Sequence, residues 1–166
     1  RYYNYLIRYS IYLIYHFLIY RKLPSSLLGL GKGMRTRFHK NSTLNTGYKV
    51  FFDDFCSLEL DNGSVVEIED GVQFNRFCVV SARKRITIGK DTIFGPNCKI
   101  YDHNHTFNCK SPVNKTEFKK GIIEIGDGCW FGANAVVCAD VSIGDFCVVG
   151  ANMVVRSDMP SGTVLK

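Results

Sequence analysis

Residues 100–107 read IYDHNHTF, and four neighbouring side chains in this stretch could carry chemistry. Asp102, His103, Asn104 and His105 occupy consecutive positions, and the two histidines are half of the four in the chain. A neutral imidazole accepts a proton near neutral pH, and a carboxylate or amide can hold its other ring nitrogen. The same residue types also bind metals or form polar surface turns. On its own, the stretch leaves all three interpretations open.

The chain around this stretch repeats every six residues. From Ile125 it reads IGDGCW, FGANAV, VCADVS, IGDFCV, VGANMV and VRSDMP, and the same phase appears upstream from Ile68 and from Ile88. First places are bulky and apolar, second places are often Gly, and fifth places are mostly small. This period predicts an all-β fold, a parallel β-helix in which three units form one coil and first-place side chains fill the interior. Val50 lies 18 residues before Ile68, which predicts one weaker preceding coil.

The repeat stops at Ile100 and resumes at Ile125, so residues 102–122 should form a loop that protrudes from the coils. Loops of this length in compact domains are usually functional or disordered. Because the loop starts with the two histidines, they should lie at the edge of the β-helix.

Four of the seven cysteines occupy fifth places, where a small buried residue is needed. Free cysteine packs as a small hydrophobe, so we interpret these four as core residues and expect a reducing, cytoplasmic environment. They are Cys78, Cys98, Cys129 and Cys147.

Composition divides the chain in two. With 46% apolar and 22% charged residues the chain is globular in composition, but residues 1–40 hold eight Lys or Arg and no acid. The remainder has 13 bases and 15 acids and gives no reason to expect nucleic acid as a partner. We therefore predict a basic, aromatic N-terminal segment at 1–40 and a β-helix domain at 41–166.

The repeat, together with FGPNCKIYDHNH, IEIGDGCWFGANAVV and VVGANMVVRSDMP, resembles the hexapeptide-repeat acyltransferases. The nearest branch is the bacterial sugar O-acetyltransferases that act on small sugars, capsule or lipopolysaccharide. The resemblance implies a left-handed coil, a homotrimer with active sites between subunits, and acetyl-CoA as the acyl donor. It also implies a sugar of a surface polysaccharide (capsule, O-antigen or exopolysaccharide), or its precursor, as acceptor.

The resemblance also implies roles for particular residues. Small-sugar enzymes place their base five residues after the Ile of an IY pair, which is His105 here, with Asp102 or Asn104 expected to hold its other nitrogen. The alternative is a surface loop with incidental histidines. The positions that match the acetyl-CoA track are Trp130, Gly132, Ala133, Ala151, Arg156 and Ser157.

Two further expectations come from differences with relatives. Where small-sugar enzymes use an Asn and an Asp against the acceptor, this chain has Phe77 and Ala82, which predicts an acceptor pocket that is more apolar there or is shaped by another element. Zinc catalysis in the carbonic anhydrases of this fold needs three histidines brought together. Only His16 and His39 accompany the pair, so we expect no metal.

Residues 1–22 should form a helix with a wide apolar face, for which two interpretations remain open. The helix caps the open N-terminal coil, or it lies on the inner face of the cytoplasmic membrane as a peripheral contact. The acceptor is equally open within the fold: an antibiotic, a serine hydroxyl or the amine of a nucleotide sugar. A non-catalytic trimeric scaffold is the alternative of a different class.

Overall fold

The computed structural model describes residues 28–108 and 110–166. The helix predicted at residues 1–22 lies outside this range, so its two interpretations stay predictions. The first strands of the β-helix begin at Leu28, which is earlier than the predicted domain boundary at residue 41.

The strands wind in coils of three. The first coil comprises β1 (Leu28–Leu30), β2 (Arg35–Phe38) and β3 (Thr43–Thr46). The second comprises β4 (Val50–Phe52), β5 (Ser57–Leu60) and β6 (Val65–Ile68), and the third β7 (Gln73–Phe74), β8 (Val79–Ala82) and β9 (Arg85–Ile88). The fourth comprises β10 (Ile93–Phe94), β11 (Lys99–Tyr101), an inserted pair β12 (His103–His105) and β13 (Phe118–Lys120), and β14 (Ile122–Ile125).

The later coils are shorter. The fifth holds β15 (Trp130–Phe131), β16 (Val136–Val137) and β17 (Val141–Ile143), and the sixth holds β18 (Val148–Val149) and β19 (Val154–Val155). A single bridge from Ile143 to Met159 takes the third place of the sixth coil, and β20 (Val164–Leu165) starts the next turn.

Corresponding strands of successive coils pair in parallel and form three sheets. We call the sheets that begin with β1, β2 and β3 face A, face B and face C, and we name each corner by the faces it joins. This architecture confirms the predicted parallel β-helix.

The predicted interior positions are confirmed. Each of the twelve first-place residues is buried. Parallel pairing in register sets each inward side chain over its equivalent in the next coil, at the strand spacing of about 4.7–4.9 Å. The twelve are Ile68, Phe74, Val80, Ile88, Phe94, Ile100, Ile125, Phe131, Val137, Ile143, Val149 and Val155.

Face A shows this stacking most clearly. Phe52, Phe74, Phe94 and Phe131 form one column with ring centroids 4.3, 4.7 and 4.6 Å apart and nearly parallel planes. Each ring is fully buried, so the column joins four coils through aromatic contact.

The fifth-place cysteines are core residues, as predicted. Cys78, Cys98, Cys129 and Cys147 are buried and free. The thiol of Cys98 donates to the carbonyl oxygen of Gly132 in the next coil at 3.2 Å, and Cys147 does the same to Pro160 at 3.2 Å. Burial raises the pKa of the Cys129 thiol, which keeps it protonated and unreactive.

The early coils are longer than the sequence pattern predicted. Val50 pairs with Leu28 on face A, whereas Ile68 lies on face C, so the two do not belong to equivalent positions of successive coils. Tyr48 and Asp70 take equivalent corner positions 22 residues apart, whereas Asp127 and Asp145 do so 18 residues apart. Two coils therefore precede the third, in place of the one that was predicted.

Shortening a phenylalanine inside the coils should destabilise the fold far more than shortening one outside. Phe94 is buried between Phe74 and Phe131, so Phe94→Ala should lower the free energy of unfolding by about 3–5 kcal/mol. The matched control is Phe107→Ala, because Phe107 is 74% exposed. It should change stability by less than about 0.5 kcal/mol. Urea unfolding followed by circular dichroism measures both, and equal losses would contradict the stacked core.

Candidate active site

The histidines lie on a β-hairpin that leaves the B–C corner of the fourth coil. β12 and β13 pair antiparallel, with His103 opposite Lys120 and His105 opposite Phe118. The amide of Gly121 donates to the carbonyl oxygen of Asp102 at 2.6 Å and closes the base of the hairpin. The predicted protruding loop therefore carries both histidines on a paired strand.

Asp102 anchors this hairpin to the preceding coil. Its side chain is fully buried and takes the inward place that Leu60 and Ala82 take in the coils below. The carboxylate accepts the backbone amides of Arg83 at 2.8 Å and Lys84 at 2.7 Å. It also lies 3.0 Å from Nδ1 of His103. A buried carboxylate is tolerable only with such partners, and here three groups satisfy it.

The structure corrects the expected partner of His105. Asp102 contacts His103, and Asn104 is exposed and makes no side-chain hydrogen bond with His105. The Nδ1 atom of His105 instead lies 3.0 Å from the carbonyl oxygen of Asn114, across the hairpin. A carbonyl oxygen can only accept, so Nδ1 carries the proton in the neutral ring and Nε2 keeps its lone pair.

An aromatic ring of the hairpin joins both histidines to the body of the β-helix. The Phe118 ring centroid lies 4.3 Å from that of His105 and 5.5 Å from that of His103. The guanidinium carbon of Arg83 lies 3.6 Å from the centroid of the same ring. Arg83 also forms an ion pair with Asp61. Cation–π contacts of this kind are worth about 0.5–2 kcal/mol. Arg83 therefore holds Phe118, and with it the histidine pair, against the third coil.

Tyr101 completes the surroundings of His103. The two rings meet edge to face, with centroids 6.2 Å apart. Partial burial, and next the nearby charge of Glu59, raise the pKa of the Tyr101 hydroxyl, so it stays a neutral hydrogen-bond donor.

Three of the positions proposed for acetyl-CoA come together at the A–B corner. Gly132 and Ala133 follow β15, and Ala151 follows β18 directly beyond them, with the amide of Asn152 donating to the carbonyl of Ala133 at 2.8 Å. A Cβ atom on Gly132 would lie 2.5 Å from the backbone nitrogen of Ala151. Close packing of the coils therefore accounts for Gly132, and it leaves a corner without bulky side chains.

The other three positions lie elsewhere on the surface. Trp130 points out from face A and is 57% exposed. Arg156 and Ser157 are exposed at the B–C corner, directly after β19. Ile100, Val137 and Val155 are in register on successive coils, so this corner lies two coils beyond the hairpin. Within one protomer, face B separates these two residues from Gly132 and Ala133.

The two acceptor positions do not meet. Phe77 is 52% exposed at the A–B corner, where its ring stacks on Phe55, and Ala82 is buried in the core at the end of β8. Ala82 therefore presents no side chain to the surface, and of the two alternatives the structure favours an acceptor pocket shaped by another element.

Sequence analysis missed Arg83, Asn114 and Phe118. Their signal is weak, because Asn114 and Phe118 lie in a loop without a repeat, and Arg83 stands in a basic run, RKR, that looks like a solvated corner. The alternation of inward and outward side chains along β8 was the available clue. Because Ala82 is buried, its neighbours Ser81 and Arg83 should point outward.

Two features are absent from the part of the chain that the structure covers. Among residues 28–108 and 110–166, no group of three or more His, Cys, Asp or Glu side chains could hold a metal ion. The same residues include no helix that could cross a bilayer.

Comparisons with known proteins agree with this fold. The family model "Bacterial transferase hexapeptide (six repeats)" matches residues 123–157. A Dictyostelium discoideum protein, provisionally described as an acetyltransferase, is 29% identical over 58% of this chain and 50% of its own length. WbbJ of Escherichia coli (strain K12), provisionally described as a lipopolysaccharide biosynthesis O-acetyl transferase, is 33% identical over 56% and 54%. The chain thus spans about half the length of these curated relatives.

Solved structures share the architecture. A variant of AntD, an N-acyltransferase from Bacillus cereus in complex with dTDP-4-amino-4,6-dideoxyglucose and coenzyme A, superposes with a TM-score of 0.71 at 18% identity. The match covers 81% of this chain and 73% of that one, and at this identity it shows the fold. The repeat, the coils and the family model matched over residues 123–157 together show a hexapeptide-repeat β-helix, and the chain is similar to acetyltransferases with this repeat.

Proposed function

We propose that this protein transfers an acetyl group from acetyl-CoA to a hydroxyl of a sugar in a bacterial surface polysaccharide or its precursor. The observation that carries the proposal is His105: an exposed imidazole on a paired strand, with Nδ1 held by the Asn114 carbonyl and Nε2 left as an acceptor. The relative described as a lipopolysaccharide O-acetyl transferase supports the acceptor class.

The proposed step needs only a base and a bound thioester. Nε2 of His105 takes the proton of the acceptor hydroxyl as that oxygen bonds to the acyl carbon. The bond from the carbon to sulfur breaks, and the leaving thiolate takes the proton from the imidazolium. The products are an ester and a free thiol, and the histidine is neutral again. A positioned base of this kind contributes about 10²–10⁴ in rate.

The A–B corner is the proposed track for the pantetheine arm. Gly132, Ala133 and Ala151 carry small or no side chains, so a chain-like ligand can approach their backbone. Arg156 is an exposed cation that can pair with a CoA phosphate, and Trp130 offers an exposed ring near the acyl end. Because face B separates these groups within one protomer, a shared site between two copies brings one corner of each together.

An apolar strip on face A supports the proposed homotrimer. Ile93 pairs in register with Trp130, and the register continues through the half-buried Val148 to Val164. Ile93, Trp130 and Val164 are 40%, 57% and 52% exposed. Contiguous exposed apolar surface usually marks an interaction site.

The N-terminal segment adds one more proposed partner. Residues 1–22 combine apolar and aromatic side chains with Arg and Lys, which fits a peripheral contact with an anionic membrane surface where lipid-linked glycans are assembled.

Removing the proposed base should abolish turnover without unfolding the protein. His105→Ala should lower kcat at least a hundredfold, while the circular dichroism spectrum and the oligomeric mass stay unchanged, because His105 is exposed on a hairpin. The assay is thiol release from acetyl-CoA across a panel of glycans and nucleotide sugars. His103→Ala is the matched control and should cost much less.

Two outcomes would change the assignment. If His103→Ala and Asp102→Asn each cost more than His105→Ala, the base is His103 held by Asp102. No thiol release with any acceptor, and no binding of acetyl-CoA, would favour the non-catalytic scaffold.

A charge placed in the apolar strip should dissociate the assembly. The native protein should sediment as three chains of 18.8 kDa, and Ile93→Arg should shift it towards the monomer because the charge would be buried at the interface. The control is Ile122→Arg, which changes an isoleucine of similar exposure, 36%, on face C. Sedimentation velocity reads both. A native monomer with full activity would disprove shared sites.

A further inference from the structure

Six polar side chains stand in two columns on the outer side of face B in the first three coils. Leu60 and Ala82 point inward and are buried, so the residues on either side of each point outward. Pairing in register aligns these outward positions from coil to coil. We call the six residues the polar panel: Arg37, Glu59 and Ser81 in one column, and His39, Asp61 and Arg83 in the other.

The polar panel lines a cleft of about 220 Å³. Sites for drug-sized ligands have volumes of about 300–1,000 Å³, so this cleft suits a smaller molecule or one residue of a larger one. Successive coils lie about 4.7–4.9 Å apart, so a single six-membered ring can contact panel residues of two neighbouring coils.

The charges of the panel balance. Arg83 pairs with Asp61. Burial alone would raise the pKa of Asp61, but the Asn62 amide and then the charge of Arg83 act against it, and the pKa is lowered. The side chains of Arg37 and Glu59 make no hydrogen bond or ion pair with any other residue of the described ranges, although the two lie side by side in register. Donors and acceptors are therefore both available, with no excess of either sign to attract an anion or a cation.

The cleft adjoins the histidines. β11 pairs in register with β8, so Tyr101 lies beside Ser81 and extends the first column of the panel. Along the chain from Tyr101, the next residue that points outward is His103. Arg83 forms part of the cleft wall and at the same time holds Phe118, which contacts His105 at 4.3 Å between ring centroids. A ligand in the cleft would thus lie beside the hairpin, on its N-terminal side.

We propose that this cleft binds the acceptor as a single uncharged pyranose ring, with Glu59 and Arg37 as its hydroxyl ligands. The proposal rests on the transferase function above and specifies its substrate class. Adjacent hydroxyls of a sugar ring both donate and accept, so a free carboxylate beside a free guanidinium is complementary to them. Charged sugars should bind less well, because a uronate or an ammonium gives up hydration and meets both signs of charge in the cleft, so no net attraction offsets that loss.

Direct binding tests the cleft without any turnover. The full chain is mixed with methyl glycosides of glucose, galactose, mannose and rhamnose, and separately with those of glucuronic acid and glucosamine. Ligand-observed NMR saturation transfer should detect at least one neutral glycoside and weaker or no signal from the charged pair. Glu59→Gln and Arg37→Gln should each weaken that binding at least about tenfold, since each removes a hydrogen bond to a charged group.

The matched control is Glu124→Gln, a glutamate exposed on face C away from the cleft, which should leave binding unchanged. Thermal unfolding of each variant shows that the fold persists. Once an acceptor turns over, Glu59→Gln should raise its KM about tenfold and leave its kcat and the KM for acetyl-CoA nearly unchanged.

The outcomes separate this proposal from the transferase function. Turnover with unaltered acceptor KM in both cleft variants would overturn the cleft and leave the transferase in place. Binding of charged glycosides alone, or of no glycoside, would overturn the uncharged pyranose. Neutral glycoside binding that both variants weaken, without thiol release from acetyl-CoA, would keep the cleft and remove the transferase.

Discussion

Parallel pairing in register constrains every other feature of this protein. Because each strand pairs with its equivalent one coil away, a side chain that points inward lies directly over another, at about 4.7–4.9 Å. The column of Phe52, Phe74, Phe94 and Phe131 shows what this geometry favours: flat or branched apolar side chains whose faces touch. A polar group in an inward place has no water and must find partners within the backbone of the adjacent coil.

Asp102 shows how that constraint leads to a site. Its carboxylate stands in an inward place, where it accepts two backbone amides of the coil below and contacts Nδ1 of His103. The chain leaves the coil at the next residue, so the anchoring contact and the start of the hairpin coincide. His105 has a different support, a backbone carbonyl across the hairpin. The two histidines are therefore held independently, one by the body of the β-helix and one by the hairpin, and Phe118 lies against both.

The sequence predicted the parts of the structure that depend on the repeat. Twelve inward residues, four buried cysteines and the point where the chain leaves the coils all follow from a period of six, because the first and fifth places face an interior that is almost entirely apolar. The pairing of Asp102 with His103 was not predictable, since adjacent residues on a strand usually point to opposite sides. The early coils also escaped prediction. Their strands are longer, so Val50 and Ile68 fall on different faces despite their 18-residue spacing.

The change in coil length along the chain divides the surface between two proposed ligands. On face B, β2, β5 and β8 each have four residues, whereas β16 and β19 have two. The four-residue strands and the corner residues that follow present two outward columns, and these form the polar panel. The two-residue strands present one outward residue each, and an A–B corner of small residues, Ala133 and Ala151, precedes them and leaves the backbone open to a long flexible ligand. The hairpin inserts between these two regions, in the fourth coil. Its histidines therefore stand at the B–C corner beside the proposed acceptor cleft, where a thioester bound along the A–B corner of a second copy would meet them.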